Sequence, residues 1–204
     1  MKRTKEEALE TRQAILQSAL DLFYQKGYSK TTFEQIALRI GLTKGAVYWY
    51  FKNKPDLVVA LINEYVEKKK KYLEQKVPFL KHFKDIEAYF LATTDFILSD
   101  KNALKLAFFL SLQMEWSETI MTKVLEEISQ NTANSFEHVR KALSEMQKKG
   151  DIRADIDVQM LTSILFNTWC GHLEAYLSKK CPIDLKIMVQ KSFDLFFNGL
   201  MRKD

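Results

Sequence analysis

The feature that most constrains this chain is how few turn-forming residues it has. Six Gly and three Pro occur in 204 residues, where average usage would place about 24. Gly and Pro are the residues that tight turns, bulges and hairpins require. An all-β sandwich or barrel needs many such turns, and a parallel α/β fold needs one at every strand end. Both are disfavoured on this ground, and long helices remain.

The length allows one large domain or two modest ones. A hydrophobic fraction of 47% supplies a core and argues against disorder. Two cysteines cannot build a disulfide framework, so a reducing compartment fits. No apolar run approaches the ~18 residues of a membrane span; the longest, Leu106 to Leu112, is too short. Lys2 and Arg3 are followed by Glu6 and Glu7, where a signal peptide needs apolar residues. A cytoplasmic protein without a membrane partner is expected.

Charge is distributed unevenly. The net charge is +5, and residues 1–55 hold ten basic side chains against five acidic ones, while residues 56–204 hold 21 of each sign. The whole excess sits at one end, as an electrostatic footprint for a polyanion would.

The same end has helical punctuation. Residues 6–26 carry Ala8, Ile15, Leu16, Ala19, Leu20 and Phe23 on one stripe, and Gly27 closes the helix. Thr32 and Gln35 form a capping box ahead of Phe33, Ile36, Ala37 and Ile40, the single apolar face of a short second helix. Gly41 stops it. Thr43 caps a third helix from Lys44 to about Phe51. Lys54-Pro55-Asp56 opens a fourth, with Leu57, Val58, Leu61, Ile62, Tyr65 and Tyr72 on its stripe, running to about Lys76.

Two short helices around a tight turn after a longer helix make a helix-turn-helix pattern, with the third helix as the reader. Val47 and Phe51 are i, i+4 and point inward. Lys44 and Tyr48 share another face, flanked by Trp49. The competing reading makes Tyr48 and Trp49 core aromatics at a helix seam. Gly45 removes a side chain where the helix must approach a backbone closely. Thr43 offers a hydroxyl and a helix start to a phosphate.

The runs Thr11 to Leu16, Gly27 to Thr32, Ile36-Ala37 and, above all, Gly41 to Lys54 resemble the N-terminal domain of TetR-family transcriptional regulators, over about residues 8–60. The wording around Lys5 to Ala8 and Glu10 to Arg12 is similar to the AcrR-like branch that controls multidrug efflux. The resemblance implies that Lys44 and Gly45 approach base edges. It implies that Thr32, Thr43, Tyr48, Trp49 and Lys54 hold phosphates. Tyr50 stands where the family usually carries His, and either contacts phosphate or packs on the fourth helix.

Beyond Pro78 the pattern stays helical, with helices expected near 84–99, 101–114, 117–148, 157–179 and 184–201. The run Lys68-Lys69-Lys70-Lys71 wraps all sides of a helix and reads as a solvated segment. Residues Gly171 to Leu177 are like a segment of the penultimate helix of AcrR-like members. Leu161, Ile164, Leu165, Trp169 and His172 follow one stripe, with Met160, Phe166, Leu173 and Leu177 elsewhere. The last helix, near 184–201, carries apolar side chains from Ile187 to Met201 around most of its axis, so it is buried on two sides. The resemblance makes helices 157–179 and 184–201 a homodimer interface, and a two-fold dimer places two readers on a near-palindromic double-stranded DNA operator.

The expected fold is all-α: a three-helix DNA-binding domain over residues 1–54, a connecting helix 55–76, and a larger helical-bundle domain over 78–204 for effector binding and dimerisation. Phe90, Thr94, Phe109, Gln113, Trp116, Asn167 and Cys170 have the composition of a pocket for a small, mostly apolar effector, and equally that of an ordinary helical core.

No metal-ligand spacing, P-loop or GxGxxG is present, and no nucleophile–base pair can be assembled. A cofactor-free, metal-free, non-enzymatic regulator is the expectation: a repressor released from DNA by its effector, with efflux as a candidate target. The alternative is an all-helical small-molecule binding protein that no longer reads DNA.

Overall fold

The computed structural model describes residues 4–114 and 118–200. Among the described residues the secondary structure is helical, without a strand. In chain order the helices are α1 (Lys5–Lys26), α2 (Phe33–Arg39), α3 (Lys44–Tyr50), α4 (Lys54–Lys76), α5 (Phe83–Ser99), α6 (Lys101–Phe108), α7 (Glu118–Lys149), α8 (Val158–Leu177) and α9 (Leu185–Leu200). The all-α expectation holds.

The boundaries follow capping chemistry. α1 starts one residue earlier than the apolar stripe suggests, because Thr4 and Glu7 form a reciprocal capping box. Gly27 ends it with φ +81°, and its N–H reaches the Phe23 carbonyl at 2.9 Å. The Thr32–Gln35 box opens α2 as read from sequence, and Gly41 takes φ +68° in the turn behind it. In α3 the Thr43 hydroxyl accepts from the Ala46 N–H at 3.2 Å. Asn53 does the same for the Asp56 N–H at the start of α4, at 2.9 Å.

One expected helix is interrupted. Residues 101–114 do not form a single α-helix, because α6 widens into a π-helical turn at Phe109–Gln113. The run Leu106 to Leu112 carries more apolar side chains than one α-helical face can bury. With the widened turn, Leu106, Phe109 and Leu110 all pack on one core.

The chain divides into two compact units, one of Met1–Val66 with Lys101–Ile128, the other of Glu67–Asp100 with Ser129–Asp204. This division runs elsewhere than the 54/78 boundary read from sequence. The first half of α4 and all of α6 belong with the helix-turn-helix. The reason is packing. Phe109 is fully buried and stacks on Phe23 of α1 with ring centroids 4.9 Å apart.

The core of the first unit brings Ile15, Leu16 and Phe23 of α1 together with Ile36 of α2, Val47 of α3, and Leu57 and Val58 of α4, all essentially without solvent contact. Each such side chain contributes about 1.5–3 kcal/mol on burial, so the position of α3 is fixed by its own inward residue. Polar ties add direction: Asp21 of α1 pairs with Arg39 of α2 at 3.3 Å and with Lys105 of α6 at 2.5 Å.

In the second unit α9 packs on α5 and α8. Phe193 of α9 lies 5.9 Å from Phe83 and 5.3 Å from Phe90, ring centroid to centroid. The stripe read for α8 needs revision. Leu161, Leu165, Leu173 and Leu177 face inward, while Ile164 is exposed with Met160. The lysine run also needs revision. Lys68, Lys70 and Lys71 are exposed, but Lys69 is half-buried, and burial lowers the pKa of its ammonium.

Candidate nucleic-acid interface

The reader is built from the inside out. Val47 is fully buried and Phe51, which follows the last turn of α3, is 5% exposed. With that face committed to the core, the neighbouring positions must turn outward. Trp49 is 75% exposed and Tyr48 51% exposed, so neither is a core aromatic. Their rings are nonetheless held. Tyr48 packs against Phe33 at 4.7 Å and Trp49 meets Tyr50 edge-on at 4.6 Å. Tyr50 is half-buried and packs against the core.

Thr32 and Thr43 both lie exposed at helix starts, and each hydroxyl oxygen accepts a capping N–H, from Gln35 and Ala46 respectively. Those bonds use the oxygen and not the hydroxyl hydrogen, which is the donor a phosphate would take. Gly45 is more informative. A Cβ built there would meet only the Thr43 Oγ1, at 3.9 Å. The fold therefore has room for a side chain at this position.

Ser29, Thr31, Thr32, Phe33, Glu34, Lys44, Tyr48, Lys52, Asn53 and Lys54 line one open groove of about 380 Å³. Sequence reasoning placed Thr32, Lys44, Tyr48 and Lys54 on the interface, and the fold brings all four to this groove. It missed Glu34, whose carboxylate accepts from the Lys44 ammonium at 2.7 Å. The spacing of ten residues across a turn gave no periodic signal for that pair. The pair raises the pKa of Lys44, so its positive charge is secure at any working pH.

Lys54 does something sequence reasoning did not assign. Its ammonium donates to the Tyr28 carbonyl at 2.8 Å and the Ser29 carbonyl at 3.4 Å, and sits 4.3 Å from the Tyr28 ring centroid. It latches the loop between α1 and α2, the loop that presents Thr31 and Thr32. Burial pushes the Tyr28 phenol up to about 12, so that ring stays neutral. On the far side of the reader, Arg12 pairs with Glu64 at 3.2 Å and lies over the Phe51 ring at 5.3 Å, tying α1, α4 and the end of α3.

The residues read as an effector pocket fall in different places. Phe109 and Gln113 belong to the first unit, where Phe109 is core and the Gln113 Oε1 is buried without a hydrogen-bond partner. Phe90, Thr94, Asn167 and Cys170 belong to the second. Phe90 is buried among the rings of Phe166, Trp169 and Phe193. Thr94 accepts from the Trp169 indole N–H at 2.9 Å. Asn167 is exposed. Cys170 is exposed as a residue, yet burial of its thiol raises the pKa and the nearby Lys69 ammonium opposes this. Trp116 lies outside the described residues. Among the described residues no group of three or more His, Cys, Asp or Glu could hold a metal ion, and no helix is long and apolar enough to cross a membrane.

Residues 15–61 match the family profile of the bacterial regulatory proteins, tetR family. The "Probable acrEF/envCD operon repressor" of Escherichia coli is 26% identical over 186 residues, covering 90% of this chain and 84% of that protein. Over residues 15–61 the chain is similar to the tetR family. Identity is higher over a shorter stretch: the HTH-type transcriptional regulator TtgR of Pseudomonas putida is 49% identical over 63 residues, 31% of this chain and 30% of that one. The match thus spans under a third of that relative's length. The fold is also that of NalD, the secondary repressor of the MexAB-OprM multidrug efflux pump in Pseudomonas aeruginosa. Its TM-score is 0.82 at 23% identity, with 98% of this chain and all of that one covered.

Proposed function

We propose that this protein is a homodimeric repressor that grips a near-palindromic operator through α3 and leaves it when a small, mostly apolar effector binds. The observation that carries the reading is the division of labour on α3, with Val47 and Phe51 in the core and Tyr48 and Trp49 held outward beside Lys44. Lys44 and Gly45 meet base edges in the major groove, and Thr32, Thr43, Tyr48 and Trp49 position the helix on phosphates. Lys54 supports them by holding the loop that carries Thr32.

One seven-residue helix reaches few base pairs, so a second copy is needed to span two successive major grooves. Met160 and Ile164 on α8, with Ile187 and Leu195 on α9, leave exposed apolar side chains on two helices that pack on each other. Such a surface fits an isologous two-fold contact. The effector acts only through a difference in affinity between the DNA-bound and released states. The printed targets of the relatives, a multidrug efflux pump for NalD and the acrEF/envCD operon for the E. coli protein, make transport genes the first to test.

The test is a mobility-shift titration of the full chain on DNA upstream of its own gene and neighbouring operons. A specific, salt-sensitive complex that is lost in the Lys44→Ala, Tyr48→Ala double variant supports the reading. No specific complex, or unchanged affinity in the double variant, sinks it.

A further inference from the structure

Glu34 is an acid in a groove otherwise suited to DNA. It is one of the residues lining the groove at the reader, its side chain is 64% exposed, and its carboxylate stands 2.7 Å from the Lys44 ammonium. Nothing in the core requires it. Burial does not hold it there, and the neighbours Phe33 and Ile36 carry the packing of α2. An exposed ion pair of this kind adds little to stability, since water screens it. Its consequence lies in what Lys44 can do next.

Non-specific DNA binding is attraction between basic side chains and phosphates. A carboxylate against the Lys44 ammonium cancels that attraction locally and adds repulsion of its own. To bind any DNA through Lys44, the pair must loosen. On a matched base pair the loss is replaced, because guanine O6 and N7 accept from the lysine and a neighbouring cytosine N4–H₂ can donate to a carboxylate. On an unmatched sequence nothing replaces it. Specificity is a difference of affinities, and a group that weakens the wrong complex more than the right one widens it.

We infer that Glu34 is a specificity-determining residue: its ion pair with Lys44 weakens binding to unmatched DNA and is relinquished without loss only where the bases replace it. This rests on the DNA-reading role of α3 proposed above. The Glu34–Lys44 contact joins α2 to α3 directly.

The experiment begins with the wild-type full chain and a pool of random-sequence duplexes, from which the preferred duplex is selected. Binding of that duplex and of a scrambled duplex of the same composition is then titrated for wild type, Glu34→Gln, Lys44→Ala and the double variant, at two salt concentrations. Glu34→Gln is nearly isosteric at an exposed position, and circular dichroism checks that it folds. The expected result is that Glu34→Gln tightens the scrambled duplex by about three- to fivefold and changes the selected duplex by less than about twofold, so discrimination narrows. In the Lys44→Ala background, where no ion pair is left to give up, adding Glu34→Gln changes the ratio of the two affinities by less than it does in the wild type. An unchanged or widened ratio in Glu34→Gln overturns this inference while leaving the DNA reading intact. Failure of the wild type to enrich any duplex overturns the DNA reading, and this inference with it.

Discussion

Replacing Gly45 with Ala sets stability against function. Gly45 is the second residue of a seven-residue helix, after the Thr43 cap, and its backbone is not in the left-handed region. Glycine there costs about 0.5–1 kcal/mol relative to alanine, because the unfolded chain loses more freedom on folding. The added methyl group meets nothing nearer than the Thr43 Oγ1 at 3.9 Å, an ordinary van der Waals distance. Gly45→Ala is therefore expected to stabilise the free protein by about 0.5 kcal/mol, or roughly 1–2 °C in melting temperature for a chain of this size. The same methyl group stands on the face that must come close to DNA, and displacing α3 weakens the contacts of Lys44 and Tyr48 together. A loss of at least about tenfold in operator affinity is expected, equivalent to about 1.4 kcal/mol. Differential scanning calorimetry of the free protein and fluorescence-anisotropy titration on an operator duplex measure the two effects. A lower melting temperature would show that the fold itself needs the glycine. An unchanged affinity would show that no backbone approaches DNA there, and either result refutes the reasoning.

Three further outcomes follow from the geometry. Lys54→Met removes a charged donor from the Tyr28 and Ser29 carbonyls, so amides in the 27–32 loop should exchange about tenfold faster or more. The slope of log affinity against log salt should stay within about 0.3 of wild type, whereas a lysine on a phosphate would lower it by about 0.9. Leu195→Lys places a charge on an apolar residue that is 74% exposed in the single chain, and light scattering should show monomers where the wild type gives dimers. His172 has its pKa lowered by burial and lies 2.7 Å from the Ser192 hydroxyl. A histidine with a depressed folded pKa adds stability that is present above the unfolded value of ~6.5 and fades as pH falls through the folded one. The melting temperature should therefore drop more steeply below about pH 6.5 in the wild type than in His172→Asn.

Much of the reader was legible because local chemistry decides it. Caps such as Thr32–Gln35 and Thr43, stops such as Gly27 and Gly41, and the i, i+4 pair Val47 and Phe51 act over a few residues, and the structure has each of them. What depends on distant packing was not legible. The π turn at Phe109–Gln113 exists because the run must pack on α1, and no local signal announces it. The Lys54 latch depends on where the Tyr28 carbonyl comes to rest. Lys69 looked solvated from four lysines in a row, yet the packing of the second unit half-buries it. The inward stripe of α8 was misread at Ile164 because both faces of that helix are apolar, and periodicity alone cannot say which one meets the body of the unit.

The most direct test of the central claim is a hydroxyl-radical footprint of the wild-type protein on its selected duplex. Two α3 helices of a two-fold dimer predict two protected patches whose centres are about one helical turn apart, roughly 34–36 Å, or a multiple of that spacing. Both patches should vanish together in the Lys44→Ala, Tyr48→Ala variant. A single protected patch, or protection that persists without Lys44 and Tyr48, would contradict the account.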